Sequence, residues 1–201
     1  MERLCKNIAF ASILTVLSFA TGCAQETKQS GLSTRTDQVQ QVNSSPVAET
    51  FASQEEKFRI VLPPHSMVLQ DKGDVVKTKG GSKRTFSWSA PKCDVTVMVN
   101  TDESGIIAAM TTEQQNDALT HVLESGFKAI SGKAVSDEVV AVGKARARKV
   151  TVETSSGALY YVLALIRGNK TYLVVCVPRK EFGGSELTAN EILISFSLID
   201  E

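Results

Sequence analysis

The sequence has few of the residues from which catalytic and metal centres are usually built, and it carries no surplus of charge. Its 201 residues include two histidines and four cysteines, and 22 basic residues balance 22 acidic ones. Nucleic-acid-binding domains carry a basic surplus and disordered solubilising tails are strongly acidic, so the composition favours neither of these two classes. The motifs G-x-S-x-G, H-E-x-x-H, C-x-x-C and the P-loop are missing as well. We therefore expect a protein that is not an enzyme and binds neither nucleic acid nor a cofactor.

A hydrophobic run long enough to span a bilayer is also missing. The apolar stretch from Ile8 to Ala20 has about 13 residues, whereas a membrane-spanning helix needs about 20. Arg3 and Lys6 precede the stretch, and small residues follow it as far as Gly22. This order of positive, apolar and small residues is typical of a secretory signal. Residues 1–22 are predicted to be a signal peptide.

The end of this segment, Ala20-Thr-Gly-Cys23, resembles the lipobox of bacterial lipoproteins, in which an apolar residue and two small residues precede a cysteine. The resemblance implies cleavage before Cys23, lipidation of its sulfur and acylation of the new amino group. Two or more acyl chains hold a protein stably on a membrane, whereas one is marginal. Cys23 is therefore the predicted anchor; ordinary secretion with Cys23 free or paired is the alternative. Ala24 is not the aspartate that commonly marks inner-membrane retention in enteric-type bacteria, so outer-membrane placement is allowed.

The segment after the signal is rich in Gln, Ser and Thr and has no sustained hydrophobic period. Such a composition cannot bury enough apolar surface to fold by itself. Residues 23–56 are predicted to be the lipidated cysteine with a flexible tether that spans on the order of 30 Å. The remaining residues, 57–201, are predicted to form one folded domain that stands off the membrane.

Alternating apolar residues predict strands along most of that domain, and one segment has helical spacing. Between residues 111 and 132, apolar residues recur at intervals of three and four, with Thr112 and Gln115 as a capping box. Lys72-Gly-Asp74 predicts a turn, and Gly80-Gly-Ser82 the turn of a hairpin. The predicted strands are Phe58–Leu62, Ser66–Gln70, Val75–Lys77, Thr85–Ala90, Asp94–Asn100, Val139–Val142, Ala145–Val152, Leu159–Ile166, Thr171–Val177 and Phe196–Ile199.

The two strands Leu159–Ile166 and Thr171–Val177 are apolar on both faces, so each face must be covered. The long helix can cover one face. The segment Ser185–Ser195, with help from the first hairpin, is the available cover for the other. The predicted fold class is α+β, with a central antiparallel sheet between helical layers.

The order of these features resembles the PsbP-like superfamily. The opening Phe58-x-Ile-x-Leu-Pro63 is followed much later by a long hairpin with Tyr160-Tyr161 and Tyr172, and then by Ile192-Leu-x-Ser-Phe196. The superfamily includes the photosystem II extrinsic protein, a Ran-binding nuclear import factor and bacterial lipoproteins of the DcrB kind. The resemblance implies an α/β/α sandwich with a central antiparallel sheet covered by helices on both faces. It also implies an accessory or binding role, and it transfers no catalytic residue.

Two groups of residues outside the signal are candidates for a site. Cys93 and Cys176 both lie on apolar strand faces, so they are either a disulfide pair, which an exported protein allows, or two buried free thiols. Lys144, Arg146 and Arg148 alternate with alanines and are predicted to project from one strand face. They form either a solvated edge that discourages strand pairing or a patch for anionic headgroups or an acidic partner.

Other polar residues give weak signals for chemistry. His121 is predicted to face solvent on the helix, and His65 lies in a loop without an acidic partner at ligand spacing. Asp102 and Glu103 fall far short of a calcium loop. The stretch 80–84 (GGSKR) is predicted to be a flexible turn with solvated charges rather than a phosphate cradle. No metal site is expected.

The sequence therefore predicts an exported, lipid-anchored, non-catalytic binding or accessory protein on the periplasmic face of a bacterial envelope membrane. Its partners would be the membrane, through Cys23, and an envelope protein or a small ligand. Two alternatives stay open at this stage. One is an envelope enzyme with a loop-built site around His65, Ser66 and Asp71, and the other is a DcrB-like stress or phage-adsorption factor.

Overall fold

Two antiparallel sheets make up most of the computed structural model, which describes residues 48–199, with the backbone alone for 70–74. The larger sheet contains β3 (Met67–Thr78), β4 (Gly81–Ser89), β5 (Cys93–Asp102), β6 (Gly132–Val142), β7 (Ala145–Thr154), β8 (Leu159–Arg167) and β9 (Lys170–Pro178). The smaller contains β1 (Glu49–Ser53), β2 (Phe58–Leu62) and β10 (Ser197–Leu198). The helices in this range are α1 (Ile106–Ala109), α2 (Thr112–Ala129) and α3 (Glu186–Ser195), with a 3₁₀ turn at Lys180–Phe182.

The order of the larger sheet is β3-β4-β5-β9-β8-β7-β6. Two runs of hairpins, β3 to β5 and β6 to β9, meet where β5 pairs with β9. The connection between the two runs carries α1 and α2 across one face of the sheet. The most apolar strands, β8 and β9, therefore lie near the middle of the sheet, where neither of them is an edge.

Each face of these middle strands packs into its own core, as the sequence predicts. Leu163 and Val174 are buried on one side, and Ala164 and Val175 on the other. Because side chains alternate along a strand, a run that is apolar at every position must bury both faces.

The two faces are covered by different kinds of layer. On one face, Leu119 and Leu123 of α2 pack against the sheet. On the other, Ile192 of α3 shares the core with Phe58 and Ile60 of the small sheet. The prediction of helices covering both faces is therefore correct in part, because α3 does not cover the second face alone. On the second face, a three-stranded sheet lies beside the helix.

The predicted end of the tether at residue 56 is wrong, because β1 is part of the domain. It pairs with β2, with Phe51 opposite Ile60. The Phe51 ring packs on the rings of Phe58, Phe86 and Trp88, at centroid distances of 5.9, 5.5 and 4.8 Å. A single phenylalanine among polar residues gives no strand period, so its burial depends on a partner strand that lies elsewhere in the sequence.

Two local predictions also need correction. Lys72-Gly-Asp74 is not a turn, because β3 runs through it with register shifts between Val68 and Asp74. Such irregularities twist an edge strand and make it a poorer template for pairing with another chain. The capping box of α2 lies one residue earlier than predicted: the side chain of Thr111 accepts from the backbone N–H of Gln114 at 3.3 Å, and that of Gln114 accepts from the N–H of Thr111 at 2.9 Å.

Candidate functional site

The predicted anchor, Cys23, lies outside the described residues, as does the predicted signal peptide. Within residues 48–199, no helix combines the length and hydropathy that crossing a bilayer requires. The lipid anchor therefore stays a prediction from the sequence.

Cys93 and Cys176 lie side by side as free thiols on the inner face of the sheet. Both are fully buried, and Cys176 lies opposite Val95, which places Cys93 diagonally across the β5–β9 pair. Burial raises the pKa of the Cys176 thiol well above its ordinary value, and the hydrogen bond with Cys93 raises it further. A buried, protonated thiol is a poor nucleophile. The pair is therefore suited to packing rather than catalysis, and its oxidation to a disulfide stays a prediction.

The predicted basic patch is smaller than the sequence suggests. Lys144 lies in the turn before β7 rather than on a strand face, and Arg146 is exposed beside it. Arg148 forms an ion pair with Asp137 of β6 and donates to the hydroxyl of Thr120 on α2. Because Asp137 compensates the charge of Arg148, two of the three cations are left for an anionic partner.

Of the residues in the loop-built enzyme hypothesis, His65 and Ser66 do not pair with each other, and the side chain of Asp71 lies outside the described part of the structure. His65 is exposed, and the hydroxyl of Ser66 donates to the carbonyl of Pro63 at 2.6 Å. His121 is exposed on α2, as predicted. Asp102 accepts from the backbone N–H of Ile107 at 2.7 Å and thus caps a local turn. Among the side chains that the structure describes, which exclude those of residues 70–74, no three from His, Cys, Asp or Glu are grouped as a metal site.

The charges after Gly80-Gly81 are not solvated, contrary to the prediction. Lys83 is only 6% exposed, and this burial lowers its pKa. Arg84 forms ion pairs with Glu55 and Glu56, and Glu56 also pairs with Lys170 at 2.7 Å. A polar cleft of about 370 Å³ joins the segment after β1 to the large sheet, and it is bordered by Glu55, Glu56, Arg84 and Lys170. Because its central charges neutralise one another, we interpret the cleft as structural.

A second cavity, which we name the α3 groove, lies where β8 and β9 end beside the start of α3. Its volume is about 550 Å³. The floor consists of Leu159, Tyr161 and Pro178. One wall is the turn 156–158, and the other runs from Lys180 through Gly184 to Glu186. The groove therefore combines an apolar floor with polar and charged walls, which is the usual composition of a binding pocket.

The wall that carries Lys180 and Glu181 is held rigidly. Arg179, which precedes it, forms two hydrogen bonds of 2.9 and 2.7 Å with the carboxylate of Asp94 and a third of 2.7 Å with Ser89. At the far end of the wall, a β-carbon on Gly184 would lie 2.1 Å from the carbonyl oxygen of Lys92. Only glycine permits that approach, so the loop is locked against the β4–β5 turn.

The opposite wall is also fixed by hydrogen bonds. The backbone N–H of Thr154 donates to the carbonyl of Ala158 at 2.9 Å, and the hydroxyl of Thr154 accepts from the N–H of Ala158 at 3.1 Å. The N–H of Ser155 donates to the carbonyl of Ser131, just after α2. Two rigid walls present a ready-made groove, which reduces the ordering entropy that binding must overcome.

Tyr161 is the polar group at the bottom of the groove. The residue is 2% exposed, and its hydroxyl has no hydrogen-bond partner among the residues that the structure describes. Burial raises the pKa of Tyr161, and the nearby carboxylate of Glu186 raises it further. The hydroxyl is therefore protonated at neutral pH and free to donate to a ligand. A donor that lines a cavity and has no partner within the described part of the chain can fix the orientation of a ligand.

No protein-family model and no curated protein matches the chain. The structure, however, is similar to the solution structure of cyanobacterial PsbP (CyanoP) from Synechocystis sp. PCC 6803. The TM-score is 0.53 at 8% sequence identity, over 76% of this chain and 93% of that one. The fold is PsbP-like. A crystal structure from Bacteroides thetaiotaomicron VPI-5482 is similar over 76% of this chain and 48% of that one, with a TM-score of 0.42 and 16% identity.

The sequence did not reveal the α3 groove of this PsbP-like domain. The sequence pattern places Tyr161 on an apolar strand face like its neighbours, and it identifies Gly184 only as a glycine in a loop. Their roles arise because the ends of β8, β9 and α3 meet in space. The one available signal was the run Lys180–Glu186, where exposed charges and two adjacent glycines interrupt the predicted elements.

Proposed function

We propose that this protein is a lipid-anchored, non-catalytic binding module of the bacterial cell envelope, and that it binds its partner in the α3 groove. The observation that carries the proposal is the groove itself: rigid walls, an apolar floor and a tyrosine hydroxyl that makes no hydrogen bond within the described residues. These are features of a preformed binding site. The nearest ionisable groups, Lys180, Glu181 and Glu186, are exposed.

The sequence before the domain supports the envelope location. The signal-like residues 1–22 and Cys23 in its lipobox-like setting would export the chain and fix it to the periplasmic face of a membrane. Because the domain begins at β1, residues 24–48 would connect anchor and domain. The groove would then meet partners in or near the membrane, and outer-membrane placement is compatible with Ala24.

Photo-cross-linking in living cells tests this function. A photoreactive amino acid is placed at Phe182, next to the wall of the groove, and separately at Arg146, on the exposed part of β7. We expect an adduct of discrete mass from position 182 and none from position 146. The adduct should weaken when Cys23→Ser prevents anchoring. Equal adducts from both positions, or none from position 182, would contradict a binding role for the groove.

A further inference from the structure

The composition of the α3 groove indicates what kind of ligand it takes. This inference rests on the proposed binding function and narrows it to one chemical class. Leu159 and Pro178 form a half-buried apolar surface on the floor, which suits a single apolar side chain. Such a contact is non-directional, so the floor alone selects an apolar side chain by its size and not by its identity.

The charges of the walls select a cation. Glu181 and Glu186 are exposed at the groove, and Lys180 is the one cation among its lining residues. The groove therefore has a net charge of −1. An anionic ligand would face two carboxylates, whereas a lysine or arginine side chain could contact either of them.

The surroundings of the groove favour a polypeptide over a small molecule. Phe182 and Leu187 directly follow the lining residues Glu181 and Glu186 in the chain, and they are 60% and 68% exposed. Large apolar side chains on a rim beside a pocket are typical of protein interfaces, in which aromatic residues are enriched. A small ligand would leave both of them in water.

We propose that the α3 groove binds an extended segment of a partner protein in which an apolar residue is next to lysine or arginine. The apolar side chain packs on Leu159 and Pro178, and the cation pairs with Glu181 or Glu186. The hydroxyl of Tyr161 donates a hydrogen bond to a backbone carbonyl of the segment. This donor gives the groove a directional contact that its floor lacks.

Fluorescence anisotropy with two short peptides tests the proposal. The peptides are Leu-Lys-Leu-Lys-Leu and Leu-Glu-Leu-Glu-Leu, each labelled with a neutral dye. The protein is the full chain, purified from host membranes in a neutral detergent, and the signal from detergent alone is subtracted. We expect saturable binding of the basic peptide and weaker binding of the acidic one.

Three variants locate the binding. Tyr161→Phe keeps the ring and removes one hydrogen bond, so we expect about two- to tenfold weaker binding of the basic peptide. Glu181→Gln with Glu186→Gln should weaken it by a similar factor, about two- to tenfold, and reduce the preference over the acidic peptide. Arg146→Gln lies away from the groove and should change nothing. The thermal midpoint of each variant is measured to exclude unfolding.

The proposal is overturned if both peptides bind equally, if the basic peptide does not bind, or if the Tyr161 and Glu variants bind like the wild type. These failures are distinct from failure of the proposed envelope function. A chain that leaves the membrane fraction but binds the basic peptide retains the site without the anchor. A chain that cross-links at position 182 but ignores the peptide has a partner of another chemistry.

Discussion

The position of Phe51 gives the sharpest test of where the domain begins. If β1 is part of the folded unit, Phe51→Ala removes a ring that packs on Phe58, Phe86 and Trp88 at centroid distances of 4.8 to 5.9 Å. If residues 49–53 belong to a tether, the same substitution changes only a solvated side chain. The two readings differ in the free energy of unfolding.

The expected size of the effect follows from the burial of the ring. Replacing a fully buried phenylalanine with alanine costs about 3–5 kcal/mol. Phe51 is only partly buried, although its three ring contacts each add about 0.5–1.5 kcal/mol beyond area burial. We therefore expect Phe51→Ala to lower the free energy of unfolding by about 2–3 kcal/mol.

Urea denaturation of the chain from residue 24 onward, which omits the predicted lipid acceptor, measures this loss. Phe182→Ala is the matched control, because that ring is 60% exposed and should change stability by less than about 0.5 kcal/mol. If the two variants unfold at the same urea concentration as the wild type, β1 does not contribute to the domain and the reasoning is refuted.

Three further predictions use the same chain. Tyr172→Phe removes the 2.8 Å hydrogen bond to the carbonyl of Glu56, so the free energy of unfolding should fall by about 1 kcal/mol below pH 10. Burial raises the pKa of Tyr172 to about 12 in the folded protein, so between pH 10 and 12 the unfolded wild type loses its proton first. In that range the wild type should therefore lose stability that the variant keeps. Urea midpoints against pH check this, and parallel curves would contradict it. Gly184→Ala should lower the free energy of unfolding by about 1–3 kcal/mol and weaken binding in the α3 groove, because the added carbon would lie 2.1 Å from a backbone oxygen. Unchanged stability and binding would show that the loop moves to accommodate the added carbon. Iodoacetamide should modify Cys93 and Cys176 only after unfolding, because both are fully buried; mass spectrometry counts the labels, and a chain that takes none when unfolded carries the disulfide.

The sequence predicts those parts of the fold that local periodicity encodes. The continuous apolar runs of β8 and β9 imply two covered faces, and the spacing from Leu119 to Ile130 implies α2. Both features are present. Each can be read from the chain because the pattern of a single element determines which of its faces are buried.

Other features of the structure cannot be predicted from local patterns, because they depend on residues that are far apart in the sequence. Phe51 is placed by pairing with β2, and Lys83 is buried although its neighbours in the chain indicate a solvated turn. The α3 groove needs Tyr161, Arg179 and Gly184 together, and none of them forms a motif with the others. Local sequence patterns carry no information about these long-range contacts, so a site built from the ends of several elements is found only in the folded structure.

The anchor is the claim on which the envelope function depends most. The direct measurement is the distribution of the full chain and of Cys23→Ser between membrane and soluble fractions after an alkaline carbonate wash. We expect that the wild type stays with the membrane and that Cys23→Ser is released. A wild type found in the soluble fraction, or a Cys23→Ser chain that remains on the washed membrane, would contradict it.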